Sequence, residues 1–144
     1  MSNSAFNTKP LSKRYQTYIS HHPDKVNWLK LTSEYQLSEE FIAQYQSRVI
    51  WFYISITQRL SEAFIAHHRD KVHWPSISQY QVLSEEFITQ HQHRVHWAWI
   101  ARSQDLTEEF IITHLGKLDL RIIMERYPTI CTRYHLEVAQ LLLS

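Results

Sequence analysis

One glycine, Gly116, stands in a chain of 144 residues. Phosphate-cradling loops, dinucleotide-binding turns and tight hairpins rely on glycine backbones, so this scarcity disfavours the common nucleotide-binding enzymes. Cysteine is equally scarce. Cys131 is alone, which excludes an intrachain disulfide and points to a reduced, cytoplasmic setting. No apolar stretch is long enough to span a bilayer, and the opening MSNSAFNTKPLSKRYQ lacks the apolar core of a signal peptide, so a soluble, untargeted chain without a membrane partner is expected. Nor is there an excess of one charge: 15 Lys and Arg face 14 Asp and Glu. Without a bulk field, electrostatic recognition must come from local arrangement. Ten histidines make the charge balance sensitive to pH near their unperturbed pKa of about 6.5.

What the chain does have is repetition. Trp28, Trp51, Trp74 and Trp97 are each 23 residues apart, with Leu120 in the next place. The same period carries Leu37, Leu60, Leu83 and Leu106, and the pairs Phe41-Ile42, Phe64-Ile65, Phe87-Ile88 and Phe110-Ile111. Val26, Val49, Val72 and Val95 follow it too. Such a period marks a repeat array of about five units.

Each unit reads as two short helices. Ser38 is the N-cap of the first, with Glu39 and Glu40 in its positive first turn and Leu37 set to staple against Ile42. Ser61, Ser84 and Thr107 keep the hydroxyl cap. Pro75, directly after Trp74, marks the first turn of the second helix, where a missing N–H costs nothing. Trp74, Ile77 and Gln81 then share one face. Helices of roughly eight residues are unstable alone in water, so each must pack on its neighbours. The expected fold is all-α, an α-solenoid of helix-turn-helix repeats over residues 15–127 in a single domain. Residues 1–14 read as an N-terminal cap, since Arg14 holds the place of leucine. Residues 128–144 read as a C-terminal capping helix.

The string LSEEFIAQYQSRVIW, followed by a tryptophan-anchored helix and another LSE, resembles the LSEEFI repeats of proteins from giant viruses, phages and some bacteria. The resemblance covers about residues 15–127. It implies a repeat architecture and a viral or mobile-element setting without implying one activity. Ala63, where a second glutamate is usual, and Leu120, where tryptophan is usual, depart from the pattern.

Comparison between copies separates scaffold from function. The Trp, Phe, Ile, Leu and Val columns read as core, although a tryptophan column is also the material of a base-stacking platform. Three residues before the tryptophan every copy is basic: Lys25, Arg48, Lys71, Arg94 and Lys117. These cations suit the C-terminal end of the first helix and a neighbouring glutamate; the alternative is a ladder for phosphates or an acidic protein face. The acidic column of Glu39, Glu62, Glu85 and Glu108 weighs against a strong nucleic-acid field. Six before the tryptophan stand His22, Tyr45, His68, His91 and His114. At about 10 Å per repeat they are too far apart to converge on one zinc ion, and Tyr45 suits an aromatic slot better than a ligand set. Extra histidines at 67, 73, 93 and 96 keep His91, His93 and His96 as a conceivable cluster. The adopted reading has no metal, no cofactor and no catalytic residue.

Two columns vary freely. Two after the tryptophan come Lys30, Tyr53, Ser76, Trp99 and Ile122; six after come Glu34, Thr57, Tyr80, Ser103 and Arg126. Free variation suggests a surface, which makes Phe52, Tyr53, Trp99, Tyr80 and Lys30 the candidate partner-binding residues. The expected function is non-enzymatic binding of a macromolecule, with a host protein such as a defence complex as the partner occupied or inhibited. An RNA- or DNA-binding array using the basic column is the alternative. The periodicity also makes a stability prediction. Trp74→Ala in the middle repeat should cost about 3–5 kcal/mol, and a melting temperature by circular dichroism equal to wild type would remove the tryptophan column from the core.

Overall fold

Ser12, Ser38, Ser61, Ser84 and Thr107 each place a side-chain oxygen 3.1–3.2 Å from the backbone N–H three residues on. Each therefore satisfies one of the orphan donors at a helix start. In the computed structural model, which describes residues 7–133, these caps open the first helix of every repeat. These are α1 (Lys13–His21), α3 (Glu39–Gln44), α5 (Glu62–His67), α7 (Glu85–Gln90) and α9 (Glu108–Thr113). The second helices are α2 (Trp28–Glu34), α4 (Trp51–Thr57), α6 (Trp74–Tyr80), α8 (Trp97–Ser103) and α10 (Leu120–Arg126). Pro75 lies in the first turn of α6 as the spacing suggests. The result is an all-α repeat fold. Its one extended feature among the described residues is a two-residue parallel pair, β1 (Lys9–Pro10) with β2 (Tyr35–Gln36). No residue among those described has positive φ, so the turns are built without left-handed backbone and Gly116 is not needed for one.

The chain divides into two compact units, Met1–Gln81 and Val82–Ser144. In the first, α4 packs between α2 and α6; in the second, α8 packs on α10. The Ile of each first helix and the aliphatic residue three after each tryptophan form the driest layer. Ile19, Ile42 and Ile65 with Leu31, Ile54 and Ile77 line the first unit, and Ile88, Ile111, Ile100 and Ile123 the second, all essentially solvent-free. Within the first unit Ile19, Leu31, Ile42 and Ile54 join Leu37, Phe41, Val49 and Phe64 in one apolar cluster. Leu11 packs against that cluster and precedes the Ser12 cap as Leu37 precedes Ser38. The leucine missing at Arg14 is thus supplied three residues earlier, and α1 is longer by about a turn. Helical backbone resumes over 128–133; the remainder of the expected C-terminal capping helix lies outside the described residues.

Polar side chains tie one repeat to the next. Gln58, Gln81 and Gln104 are the C-cap residues of α4, α6 and α8, and all three are buried. The Gln81 Oε1 accepts from the Leu60 N–H at 3.0 Å, while its Nε2 donates to the carbonyls of Ser55 and Gln58 at 3.1 and 2.7 Å. Gln58 does the same one repeat earlier, accepting from Leu37 at 2.8 Å and donating to Tyr35 at 2.8 Å. Gln104 accepts from Leu83 at 3.0 Å. At the end of the series the Tyr127 hydroxyl takes over, accepting from Leu106 at 3.0 Å. Ser55 in α4 accepts from the backbone N–H of His73 at 2.9 Å, and Thr32 in α2 accepts from that of Ile50 at 3.4 Å. Neither His73 nor Ile50 has a side-chain cap of its own, so the second helix of the preceding repeat supplies it.

Replacing the carboxamide with a hydrocarbon tests this linkage. Gln81→Leu leaves the Leu60 donor and two helix-end carbonyls without their partner, at about 1–3 kcal/mol for each group that stays dry. Chemical denaturation should show a loss of at least about 2 kcal/mol; a loss within the usual surface range of about 0.5 kcal/mol would mean that water replaces the bridge.

Candidate functional site

Within the first unit α4 is flanked by α2 and α6 besides its core side, and what remains uncovered is the candidate surface. The residue six after the tryptophan faces the preceding repeat. Thr57 donates to the Thr32 carbonyl at 3.1 Å, and Arg126 donates to the carbonyls of Ala101 and Gln104 at 2.6 and 2.7 Å. The hydroxyl four after the tryptophan faces the following repeat. At about 100° per residue, the outward direction belongs to the position one after the tryptophan. There Leu29 is 54% exposed and Phe52 is 46% exposed.

The variable column two after the tryptophan is therefore not a surface column. Tyr53 and Trp99 are half-buried, Ser76 and Ile122 are buried, and Lys30 alone is exposed. A single-stripe helical wheel turns this position away from the core, yet Tyr53 and Trp99 pack against residues of their own helices and caps. Tyr53 packs edge-on to Phe52 at 5.4 Å, and Trp99 lies under Arg102 at 5.7 Å and near His96 at 6.5 Å. Tyr80 is also half-buried. Of the five proposed partner-binding residues, Phe52 and Lys30 are exposed, and the periodic reading passed over Leu29 and Ile50. Within the first unit, α2 and α4 present Leu29, Ile50 and Phe52 outward, with His73 against Phe52 at 5.1 Å. The signal was available as the column Leu29, Phe52, Pro75, Ala98, Arg121, apolar in the first unit and charged at the end.

The basic column is drawn into contacts between repeats. Arg48 pairs with Asp24 at 2.7 Å and also reaches the Pro23 carbonyl. Lys71 lies over the Trp51 ring at 6.0 Å, and Lys117 lies over Trp97 at 5.4 Å while donating to Gln92. Lys25 is exposed in a 3-10 turn (Pro23–Lys25). Arg94 is exposed at its backbone position in the second unit. The acidic column is equally engaged: Glu39 accepts from the backbone and hydroxyl of Ser61 at 2.5 and 3.1 Å, and Glu85 from those of Thr107 at 2.6 and 3.0 Å. Arg133 pairs with Glu108 at 3.2 Å. A carboxylate braced on the next helix's cap explains why this column repeats without a ligand.

The histidine column lies in an aromatic seam. The tryptophan of one repeat covers the Phe and the His or Tyr of the next: Trp28 on Phe41 and Tyr45, Trp51 on Phe64 and His68, Trp97 on Phe110 and His114. Each indole N–H bonds to the carbonyl five residues earlier at 2.9–3.1 Å. Trp74 is buried, whereas Trp28, Trp51 and Trp97 keep an exposed edge and are half-buried rather than buried as expected. No group of three or more His, Cys, Asp or Glu among the described residues could hold a metal ion, the trio of His91, His93 and His96 included. Open grooves lie in each unit. One of about 330 Å³ is lined by Pro10, Leu11, Gln36 and Phe41, and another, about 420 Å³, runs beside Glu85, Glu86 and Glu109. Burial raises the half-buried Cys131 thiol. No helix of the described residues is long and apolar enough to cross a membrane.

Comparison with protein-family models, curated proteins and solved structures finds no match.

The seam makes stability depend on acid. Burial first, then the neighbouring His67 and Lys71, hold His68 below its ordinary pKa, with Glu39 opposing. Above about pH 6.5 the ring is neutral in both folded and unfolded chains. Below that the unfolded chain takes up the proton first, so stability falls as pH falls. His68→Tyr, the residue Tyr45 already places in this column, should flatten the drop in denaturation midpoint between neutral and mildly acidic solution. An unchanged drop would place the acid sensitivity elsewhere among the histidines.

Proposed function

We propose that this chain is a non-enzymatic protein-binding repeat whose recognition face is the outer side of α2 and α4. The exposure of Leu29 and Phe52 at one register of consecutive repeats, with Ile50 beside them, carries the reading. Exposed apolar groups are tolerated singly, but a set gathered on adjacent packed helices is what a binding surface requires. Lys30 supplies a charged rim next to Leu29. Helices braced by interrepeat hydrogen bonds present this face with little ordering cost on binding. In the finer form of the proposal the chain is of viral or phage origin and occupies or inhibits a host protein such as a defence complex. That form draws on the likeness of its LSEEFI units.

A second reading, binding of RNA or DNA through the basic column, is favoured by the exposure of Lys25 and by the recurrence of a cation in every copy. Against it stand the neighbours that Arg48, Lys71 and Lys117 already have. The double variant Leu29→Ser with Phe52→Ser should keep the wild-type melting temperature within a few degrees and weaken a captured protein complex by about 2 kcal/mol or more. Undiminished capture by the variant would sink the proposed face. Sub-micromolar, salt-sensitive binding of wild type to generic RNA at physiological ionic strength, abolished when Lys25, Arg48, Lys71, Arg94 and Lys117 become Gln, would put the second reading first.

A further inference from the structure

The aromatic seam repeats, and its first member is uncovered. In interior repeats an indole from the preceding repeat lies 6.2–6.4 Å from the phenylalanine and 5.0–5.4 Å from the His or Tyr beside it. Phe41 and Phe64 are accordingly 9% exposed. In α1 the same two places are Tyr18 and His22, with ring centroids 4.9 Å apart. Tyr18 is 44% exposed and His22 is exposed. One period before Trp28 the sequence has Ala5, so no tryptophan of this chain falls in register to cover the pair. Tyrosine replaces phenylalanine here, a ring with a polar edge that tolerates water and is enriched at interfaces.

Charge distinguishes this end as well. The first turns of α3, α7 and α9 each carry two glutamates, but α1 has no acidic residue. Instead Lys13 and Arg14 are exposed on it, as are His21 and, in the following turn, Lys25. Asp24, the one acid nearby in sequence, is paired with Arg48.

We propose that the Tyr18–His22 end of α1 is a docking slot for an acidic segment of a partner protein that inserts a tryptophan or comparably large aromatic ring. The ring's chemistry follows from what covers every described interior copy of the pair within each unit. The acidity follows from α1 having no acidic residue, unlike α3, α7 and α9, while Lys13 and Arg14 stand exposed on it in addition to the basic residue every copy carries. This slot uses a different helix from the outer face of α2 and α4 and stands or falls independently of it.

The test is an NMR titration of the isotopically labelled full chain with a short synthetic Asp- and Glu-rich peptide carrying one central tryptophan. Amide shifts should concentrate on residues 13–22. Tyr18→Ser should weaken the peptide at least about tenfold, as should replacing the peptide's tryptophan by alanine. Melting of Tyr18→Ser should stay near wild type because the ring is exposed, whereas Leu29→Ser with Phe52→Ser should leave peptide binding intact. Absence of shifts at α1 up to millimolar peptide, or equal binding of the alanine peptide, would overturn the proposal. Stronger binding of oligouridylate to the same amides would assign the slot to nucleic acid instead. Peptide binding seen only after deletion of residues 1–6 would assign it to the chain's own start. Self-association lost in Tyr18→Ser would assign it to a second copy.

Discussion

A helix of six or seven residues has almost no interior, so most of its backbone groups lie among the four donors and four acceptors that a helix leaves unsatisfied at its ends. This protein is made of such helices, and the satisfaction of their ends is the constraint on which the remaining structure depends. Capping serines and a threonine meet part of it locally. The rest is met from the adjacent repeat: Gln58 and Gln81 close the end of the preceding repeat's second helix, Thr32 and Ser55 cap the following repeat's second helix, and Glu39 and Glu85 brace the next cap. Apolar burial supplies the driving force, while these bonds set the register in which it occurs. No buried side-chain nitrogen or oxygen among the described residues is left without a partner.

That arrangement explains why so much polar sequence recurs without marking a reaction centre. A glutamate, a basic residue and a glutamine at fixed period resemble chemistry when read as columns. In space Glu39 and Glu85, Arg48, Lys71 and Lys117, and Gln58 and Gln81 reach a backbone group, an ion-pair partner or an indole of the repeat beside them. The histidines belong to the same account, since rings of His68 and His114 fill the gap between a phenylalanine and a tryptophan. Within each unit the indole and the carboxylate reach the following repeat, while the glutamine reaches the preceding one.

A directional array has unequal surfaces. Its lateral face is uncovered only where neither the core nor an adjacent helix reaches, which gathers Leu29, Ile50 and Phe52 on the first unit. At α1 the place one period before Trp28 is Ala5, and Tyr18 and His22 are exposed where Phe41 and Phe64 are covered by an indole. The two proposed sites thus arise from one geometry, the first from what packing leaves outside and the second from a pair of rings that no indole in register covers.

The amino-acid sequence by itself determined the helical class, the period, the caps and the identity of the dry layer. Those depend on local hydrogen bonding and on apolar spacing along single helices, which a 23-residue period repeats in plain view. Tertiary structure decided which variable column faces solvent. Tyr53 and Trp99 turn away from the core on an isolated wheel yet are half-buried, while Leu29 and Phe52, in the column one position earlier, are exposed. The structural role of Gln58, Gln81 and Gln104 was likewise decided in space, because a glutamine on an apolar face acquires meaning only when the carbonyls and N–H of another repeat are brought within 3 Å or so of it. Periodicity reports the angle of a side chain around its own helix; exposure depends on how many sides of that helix its neighbours cover.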